Sequence, residues 1–555
     1  TDNYRGISLL SVVSKCYTAI LNKRLYMFLE ENDMICEAQA GFRKGYATTD
    51  HIFTLYAIIQ KCLSKPGGKC YVAFIDLKKC FDSVHHDKLF ESLHRARIST
   101  KFIAALKCMY SSMFSCVRNN HDVTDLFDCP VGVRQGCTLS TSLFLIFINE
   151  IADYMLNAGR HGIQFLPGLV ELYILLFADD LALLSYTPVG LRNQLECLSI
   201  CCKRLKLEVN VEKSKAMVFR KGGFLGVNES WYFEGKLLEV VNSYRYLGYT
   251  FTTMLSVTIG TQSLAVKGKE AAYGVLRMLR QYKDLNKKTF FKIFDSKITS
   301  ILLYASEVWG TQQVENIEKV HLIACKRFLG LPRGTPNNIV YGELGRYPLH
   351  VNSSLRCIKY WLKVIQMSES RLPFLAYKML VSIDERGKRC WATNIKELLF
   401  NAGFGIVWIN QGVGNSRAFL SLLKQRLFDM FIQGWHGALC ASERYDSYRS
   451  SKIMFAPERY IDYFSHVAFR QAITQFRAGM FPLNVNIHRY DNGNSRKMCF
   501  CCPDCFEDEH HFLFVCPLYT SLRDMYITPN KHDIANIHTQ QNLWLDMTLL
   551  KALAN

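Results

Sequence analysis

The chain has 555 residues, of which 49% are hydrophobic, so it can bury several cores, and its length suggests three or four folded units. Lysine and arginine number 67 against 48 aspartate and glutamate, a formal net charge of +19 that favours polyanionic partners such as nucleic acid. The 21 cysteines lack a framework spacing, and neither a signal peptide nor a bilayer-spanning apolar run is evident, so we expect an intracellular protein, nuclear or cytoplasmic, with no membrane partner.

The first predicted element is a helix that begins near Val12. Its apolar residues recur at helical spacing, and we expect this stripe to pack beneath the N-terminal region. The stripe consists of Val12, Val13, Cys16, Tyr17, Ile20, Leu21, Leu25 and Phe28.

The second informative element is a short buried strand at residues 71–75, Tyr-Val-Ala-Phe-Ile. Asp76 stands at its C-terminal end, before a more polar stretch. A carboxylate at this position is well placed to meet the tip of a neighbouring hairpin. Taken alone, such an aspartate is more often a helix cap or a turn residue.

Residues 132–140, Gly-Val-Arg-Gln-Gly-Cys-Thr-Leu-Ser, form a turn-rich stretch that leads into an apolar helix predicted at about 142–154. Gly136 would let the backbone approach a flat ligand such as a base pair.

Residues 175–184 place Asp179 and Asp180 between two apolar runs, which predicts a tight hairpin with both carboxylates at its tip. An isolated Asp-Asp pair could equally be a surface turn. Two adjacent like charges favour a bound cation, and Asp76 is the candidate third ligand. Three carboxylates without histidine or thiolate suit magnesium and two-metal phosphoryl transfer.

Further along, a helix is predicted at about 192–207 and a strand at 216–219, with strand-like segments at 231–233 and 244–251. From about Gln262 the pattern is almost wholly helical. A break at 330–336, Gly-Leu-Pro-Arg-Gly-Thr-Pro, divides the later helices. Basic residues flank aromatic ones at 359–363 and 444–449, where stacking on bases is one interpretation and an ordinary amphipathic surface the other.

The last distinctive feature is a group of potential zinc ligands, Cys499, Cys502, His511 and Cys516. A Cys-x2-Cys pair followed by His and Cys is typical of tetrahedral structural zinc, which we favour over a metal-free core. Cys501, Cys505 and His510 compete as ligands.

Taken in order, these blocks resemble a known family. They are residues 3–8 (Asn-Tyr-Arg-Gly-Ile-Ser), 40–45 (Ala-Gly-Phe-Arg-Lys-Gly), 73–82, the Arg134–Gln135–Gly136 stretch, 177–180 (Phe-Ala-Asp-Asp), 210–214 (Asn-Val-Glu-Lys-Ser) and 246–248 (Tyr-Leu-Gly). The series resembles the reverse transcriptases of non-long-terminal-repeat (LINE-type) retrotransposons, and the cysteine cluster followed by Pro517 resembles one near the C-terminus of many such proteins. The chain begins without methionine inside the first block, so we expect an N-terminally truncated piece of such a protein.

The resemblance implies a role for each matched residue. Asp76, Asp179 and Asp180 would hold two catalytic magnesium ions. Arg5 would grip the incoming triphosphate, because a guanidinium fork suits phosphate oxygens. Lys213 would protonate the departing pyrophosphate, and the alternative for this surface lysine in a helix-to-strand loop is a solvated charge.

Three more positions would contact substrates. Gln135 and Gly136 would line the nucleotide and template side of the pocket, and Arg43 would contact the template. Phe81 would form a wall beneath the sugar that excludes a 2′-hydroxyl, so that the product is DNA. The alternative for Phe81 is a core position in the following helix.

The predicted fold class is α+β, a right-hand polymerase with an antiparallel palm sheet. We expect fingers and palm at 1–255, a helical thumb at 256–350, a helical C-terminal region at 351–490 and a zinc-knuckle-like module at 491–530. The predicted function is RNA-directed DNA polymerisation during target-primed reverse transcription, with an RNA template, a DNA primer or target and dNTPs as partners. The alternative is an inactive or repurposed relative that only binds nucleic acid.

Overall fold

The computed structural model describes residues 8–526 except 112, 120–121, 159–161, 169–170, 283–284, 464–466 and 492. The chain divides into two compact units. The first comprises Thr1–Gly260 and Ile358–Glu397, and the second comprises Thr261–Cys357 and Leu398–Asn555.

A six-stranded sheet forms the centre of the first unit. Its strands are β1 Cys70–Asp76, β2 Ile174–Phe177, β3 Asp180–Ser185, β4 Lys215–Phe219, β5 Trp231–Phe233 and β6 Lys236–Val240. Their order is β5-β6-β4-β1-β3-β2, and every pair is antiparallel except β4 with β6. β1 is buried from Cys70 to Ile75, which explains its continuous apolar sequence. The predicted antiparallel pairing is therefore present throughout the sheet except between β4 and β6, which makes the sheet mixed.

Three long helices belong to the same unit: α1 Val12–Glu31, α2 Thr48–Leu63 and α3 Thr138–Asn157. Among the described residues, α3 is the one helix long and apolar enough to cross a membrane, but 78% of its most apolar stretch is buried inside the protein. It therefore occupies the position of a core helix. It begins earlier and ends later than the predicted 142–154.

The predicted packing of α1 is correct for only part of its stripe. Leu21, Leu25 and Leu29 are buried, and α1 packs against α3. Val12 and Val13 are 77% and 80% exposed, and the buried positions of the helix begin only at Thr18.

The segment Ile358–Glu397 is joined to α2 through Asp50, which is only 1% exposed. One carboxylate oxygen of Asp50 accepts hydrogen bonds from the Tyr360 hydroxyl at 3.0 Å and from Lys363 Nζ at 3.3 Å. The other oxygen lies 3.5 Å from the Arg371 guanidinium. Helix α4, Leu372–Glu385, then packs along α2 and covers it.

This arrangement corrects the base-stacking interpretation of residues 359–363. Tyr360 and Trp361 are 5% and 0% exposed, and Tyr448 in the second basic-aromatic stretch is also fully buried. These rings are core residues, so they present no face to a base.

The first unit contains further short elements. Its other helices are His86–Arg95, Thr100–Tyr110, Pro188–Leu205 and Val257–Gly260, and its other strands are Phe114–Ser115, Arg118–Asn119, Asp122–Val123, Phe127–Asp128, Ile163–Gln164, Glu171–Leu172, Ser243–Tyr246 and Tyr249–Thr252. Two helices, Leu349–Ile365 and Trp391–Asn401, continue from one unit into the next along the chain.

The described part of the second unit is helical, as predicted from Gln262 onward. Its helices are Gln262–Gln281, Lys287–Phe294, Asp295–Thr299, Ser300–Leu302, Ser306–Trp309, Glu315–Leu329, Asn337–Leu344, Gly405–Ile409, Ser416–Cys440, Glu443–Tyr445, Asp446–Ser451, Arg459–Tyr463, Val467–Arg477, Asn484–Tyr490, His511–Val515, Pro517–Tyr519 and Thr520–Tyr526. The break predicted at 330–336 separates Glu315–Leu329 from Asn337–Leu344, with Gly330 left-handed at φ +72°.

Candidate active site

The three predicted carboxylates lie at one edge of the sheet. Asp76 ends β1 and is the register partner of Asp180, which begins β3. Phe177 pairs with Asp180, so Ala178 and Asp179 form a two-residue turn between β2 and β3. Asp76 and Asp179 are half-buried and Asp180 is exposed. The predicted hairpin with an acidic tip is therefore present, and Asp76 sits beside it.

The negative charge of this edge acts on neighbouring side chains. Burial, and after it the charges of Asp180 and Asp76, raise the pKa of the Tyr244 hydroxyl to about 12. Burial and the nearby Asp179 carboxylate raise the pKa of the Cys80 thiol well above its ordinary value. Cys80 therefore remains a neutral thiol.

The loop that contains Lys213 fixes the backbone of Asp76. Asn210 N–H donates to the Asp76 carbonyl at 2.8 Å, and Asp76 N–H donates to Ser214 Oγ at 3.1 Å. Ser214 Oγ in turn donates to the Asn210 carbonyl at 2.7 Å. Lys213 lies within this loop and its side chain is exposed. The loop therefore brings an exposed lysine into the same region as Asp76.

Phe81 follows β1 and packs against two other aromatic rings, Phe144 and Phe42, and we call this group the Phe81 shelf. Its ring stacks on Phe144 of α3 with centroids 4.2 Å apart and meets Phe42 edge-on at 5.8 Å. Val133 N–H donates to the Phe81 carbonyl at 2.8 Å. The side chain is half-buried, so one part of the ring packs and the other part is open.

Gln135 and Gly136 follow Val133 on the same segment. Gln135 Nε2 donates to the Asp82 carboxylate at 3.2 Å, and the Gln135 carbonyl accepts from Ser8 N–H at 2.8 Å. Gly136 has φ +111°, and a Cβ there would lie 2.7 Å from the Ser8 carbonyl oxygen. Gly136 thus permits close approach of the chain at Ser8. Arg5 lies outside the described residues.

Arg43 is held by the protein in this structure. Its Nε and one terminal nitrogen donate to Glu30 at 3.0 and 2.8 Å, and its other terminal nitrogen donates to the Cys36 and Gln39 carbonyls at 3.1 Å. The side chain is 9% exposed. Arg43 acts here as a link between α1 and the segment after it, and a template contact stays a prediction.

Sequence reasoning missed Gln39, which is fully buried beside the hairpin turn. Its Oε1 accepts from the N–H groups of Gly41 at 2.8 Å and Ala178 at 3.1 Å. The one available signal was an amide between two alanines, Ala38 and Ala40, because an amide buried in an apolar setting needs hydrogen-bond partners. The structure supplies them for Oε1, whereas Nε2 is buried without one among the described residues.

The four predicted zinc ligands come together in the second unit. One ligand atom from each of Cys499, Cys502, His511 and Cys516 lies within 4.8 Å of all the others. The sulfurs of Cys499 and Cys516 are 3.8 Å apart, and His511 Nε2 is buried without a hydrogen-bond partner. Two sequence alternatives, Cys501 and Cys505, lie outside this cluster, and Cys501 is exposed.

With this geometry established, comparison with known proteins identifies the domain. Residues 1–251 match the family model described as "Reverse transcriptase (RNA-dependent DNA polymerase)". This segment is a reverse transcriptase domain. It belongs to a family of nucleotidyltransferases, and the sequence prediction of a right-hand polymerase fold with mixed helix and sheet is confirmed for this domain.

Similar proteins come from retrotransposons. The chain is 26% identical over 329 residues to "Probable RNA-directed DNA polymerase from transposon BS" of Drosophila melanogaster, covering 58% of this chain and 35% of that protein. It is 23% identical over 541 residues to "Putative 115 kDa protein in type-1 retrotransposable element R1DM" of the same species, covering 94% and 46%. The predicted LINE-type origin of the reverse transcriptase is confirmed, and the chain spans less than half the length of these two relatives.

A solved structure of telomerase from Candida tropicalis, in complex with a fragment of telomeric RNA, is also similar. It aligns with 75% of this chain and 56% of its own, at 15% sequence identity and a TM-score of 0.35.

Proposed function

We propose that this chain is an RNA-directed DNA polymerase that adds dNTPs to a primer 3′-hydroxyl on an RNA template. The observation that carries the proposal is the pairing of Asp76 with Asp180, with Asp179 in the adjoining turn. The donor set consists of carboxylate oxygens at a partly open edge, which fits magnesium. Two bound magnesium ions would activate the attacking hydroxyl and stabilise the leaving pyrophosphate.

The chain's own residues would then orient the substrates. The half-open ring of Phe81 would lie under the deoxyribose, with Gln135 and Gly136 forming the adjacent wall. Lys213, exposed on the loop that fixes Asp76, would give its proton to pyrophosphate. Arg5 would bind the triphosphate as the family resemblance implies.

The direct test is primer extension with the purified chain, an RNA template, a DNA primer, dNTPs and magnesium. We expect template-dependent DNA synthesis that chelation of magnesium abolishes. Binding of template and primer without extension would instead support the alternative of a relative that only binds nucleic acid. The charge of +19 predicts that template binding weakens steeply as salt rises.

We also propose that Cys499, Cys502, His511 and Cys516 bind one structural zinc ion. The proposal is supported by three sulfur atoms and an unpartnered buried imidazole nitrogen gathered within 4.8 Å. Such a site would stabilise the fold of the segment that carries the four ligands.

The zinc prediction is tested with Cys502→Ser. We expect about one zinc per chain in the unmodified protein by elemental analysis, and its loss in the variant, because a tetrahedral site needs four ligands. Cys505→Ser is the matched control, since Cys505 is in the same segment but outside the cluster. Absence of zinc from freshly prepared reduced protein, or its loss in Cys505→Ser alone, would contradict this ligand set.

We infer an intracellular location as well, nuclear or cytoplasmic. All 21 cysteines lie among the described residues and all are free thiols, which is typical of a reducing compartment.

A further inference from the structure

Gln39 connects the segment before α2 to the turn that contains Asp179. Its side chain is 0% exposed, and its oxygen accepts from Ala178 N–H at 3.1 Å and from Gly41 N–H at 2.8 Å. Because only the oxygen of an amide can accept, these two donors fix the orientation of the side chain. One buried group therefore holds a main-chain atom of the acidic turn.

The backbone on either side of Gln39 is docked on the same hairpin. Leu176 N–H donates to the Ala38 carbonyl and Ala40 N–H donates to the Leu176 carbonyl, both at 2.9 Å. Gln39 thereby forms a parallel bridge with Leu176 at the open edge of β2. The Gln39 side chain therefore reaches Ala178 from a backbone that is itself hydrogen-bonded to β2.

Gly41 brings this segment into direct contact with the turn. A Cβ at Gly41 would collide with Ala178 N and would lie 3.0 Å from both Ala178 Cα and the Phe177 carbonyl carbon. Only a residue without a side chain permits this approach. The segment from Gln39 to Gly41 therefore packs directly against Ala178, the residue that precedes Asp179.

Ala178 has a conformation that requires such support. Its φ is +58°, in the left-handed region that residues with a Cβ rarely occupy. The two-residue turn between Phe177 and Asp180 requires positive φ at its first position, where Ala178 stands. Without the Gln39 oxygen, the Ala178 N–H would lose its acceptor in this strained conformation, and the peptide that leads to Asp179 would be held less firmly. Strain of this kind persists where surrounding groups over-determine the backbone.

We propose that Gln39 is a positioning residue, which holds Ala178 in the left-handed conformation and so fixes Asp179 and Asp180 for divalent metal binding. This role deepens the proposed polymerase function and rests on it. Gln39 is fully buried, so its proposed action is through Ala178 and not through direct contact with substrate or metal. Phe81 and Gln135 belong to other segments, and the contact of Arg43 with Gln39 is to the backbone carbonyl, which a change of the side chain leaves in place. Binding of template and dNTP should therefore depend little on the Gln39 side chain.

The test compares Gln39→Met with Gln194→Met. Met keeps the volume of Gln and removes the amide. Gln194 is also buried, and its Nε2 donates at 2.7 Å to the Leu184 carbonyl, which lies near the other end of β3. Both variants lose a side-chain hydrogen bond to the hairpin strands, but only Gln39→Met loses it at the turn.

Binding of Mn²⁺ to the full chain, measured by electron paramagnetic resonance, is the first readout. We expect Gln39→Met to weaken Mn²⁺ binding about tenfold relative to Gln194→Met, the change expected for one buried hydrogen bond. The magnesium concentration for half-maximal extension should rise in parallel, with the KM for dNTP little changed. Equal Mn²⁺ affinity in the two variants at matched folded fraction would overturn the proposal.

A second variant separates positioning from general loosening. Adding Ala178→Gly to Gln39→Met should restore part of the Mn²⁺ affinity, because glycine adopts φ +58° without strain. If Gln39→Met does not fold, amide hydrogen exchange of the unmodified protein still tests the hydrogen bond between the Ala178 N–H and Gln39. The Ala178 amide should exchange as slowly as those of β3, and rapid exchange would refute the contact.

Failure of the proposed polymerase function leaves a different signature. In that case the unmodified chain would bind Mn²⁺, with the same difference between the Gln39 and Gln194 variants, yet would not extend a primer. Loss of the difference in Mn²⁺ affinity, with extension intact, would reject the role of Gln39 alone.

Discussion

Asp179→Asn is expected to lower the rate of primer extension by about a thousandfold or more, the range reached when a charge-stabilising group is removed from a reacting centre. Asp179 occupies the turn beside the Asp76–Asp180 pair, so the substitution removes one negative charge and keeps the shape of the side chain. Steady-state extension and template binding by fluorescence anisotropy are measured on the same preparation. Template affinity should remain within a factor of about two to three, because the substitution leaves the basic surfaces that bind phosphate unchanged.

Asp87→Asn is the matched control for this charge change. Asp87 is an exposed carboxylate that pairs with Lys206 at 3.3 Å, outside the acidic edge. The rate of primer extension by Asp87→Asn should equal that of the unmodified protein. If Asp179→Asn lost template binding and extension to the same extent, a purely catalytic role for Asp179 would be contradicted.

Phe81→Val is expected to raise the ratio of ribonucleotide to deoxyribonucleotide incorporation by about tenfold or more, since a pocket contact of this size discriminates at that level. The ring of Phe81 is half-open above its stack with Phe144, and Val removes the open part while keeping an apolar surface. The 2′-hydroxyl is the group that such a wall excludes. The ratio is obtained from single-nucleotide incorporation at matched folded fraction.

Phe90→Val is the control for lost packing. Phe90 is half-buried in the helix His86–Arg95, so the same atoms are removed from a comparable environment away from the Phe81 shelf. A core role for Phe81 would cost on the order of 3 kcal/mol of unfolding free energy and would lower both incorporation rates together. An unchanged ratio in Phe81→Val would defeat the wall assignment.

The acidic edge could be predicted from sequence because its signals are local. Short apolar runs bounded by Asp76 and by Asp179–Asp180 predict strands and a turn, and the antiparallel register then brings the carboxylates together. The cysteine cluster could be predicted equally well, because the spacing of its potential ligands is visible in the sequence. In both cases the functional side chains lie close in sequence to the pattern that predicts them.

Contacts between distant segments could not be predicted in the same way. The partner of Gln39 is Ala178, 139 residues away, and neither residue alone indicates the other. The exposure of Val12 and Val13 could not be predicted either, because helical periodicity shows which residues share a face and not how far along the helix that face is covered. The domain boundaries and the roles of Arg5, Arg43 and Lys213 stay predictions.

The link between Asp50 and the segment Ile358–Glu397 has a consequence for how the protein is made. A ribosome completes Gly260 long before it reaches Glu397, so for about ten seconds or more of synthesis α2 lacks the helix that covers it. During that interval Asp50 also lacks Tyr360, Lys363 and Arg371. The first unit therefore reaches its final form only after residues 261–357, which belong to the second unit, have been translated, and until then the face of α2 that packs against α4 stays uncovered.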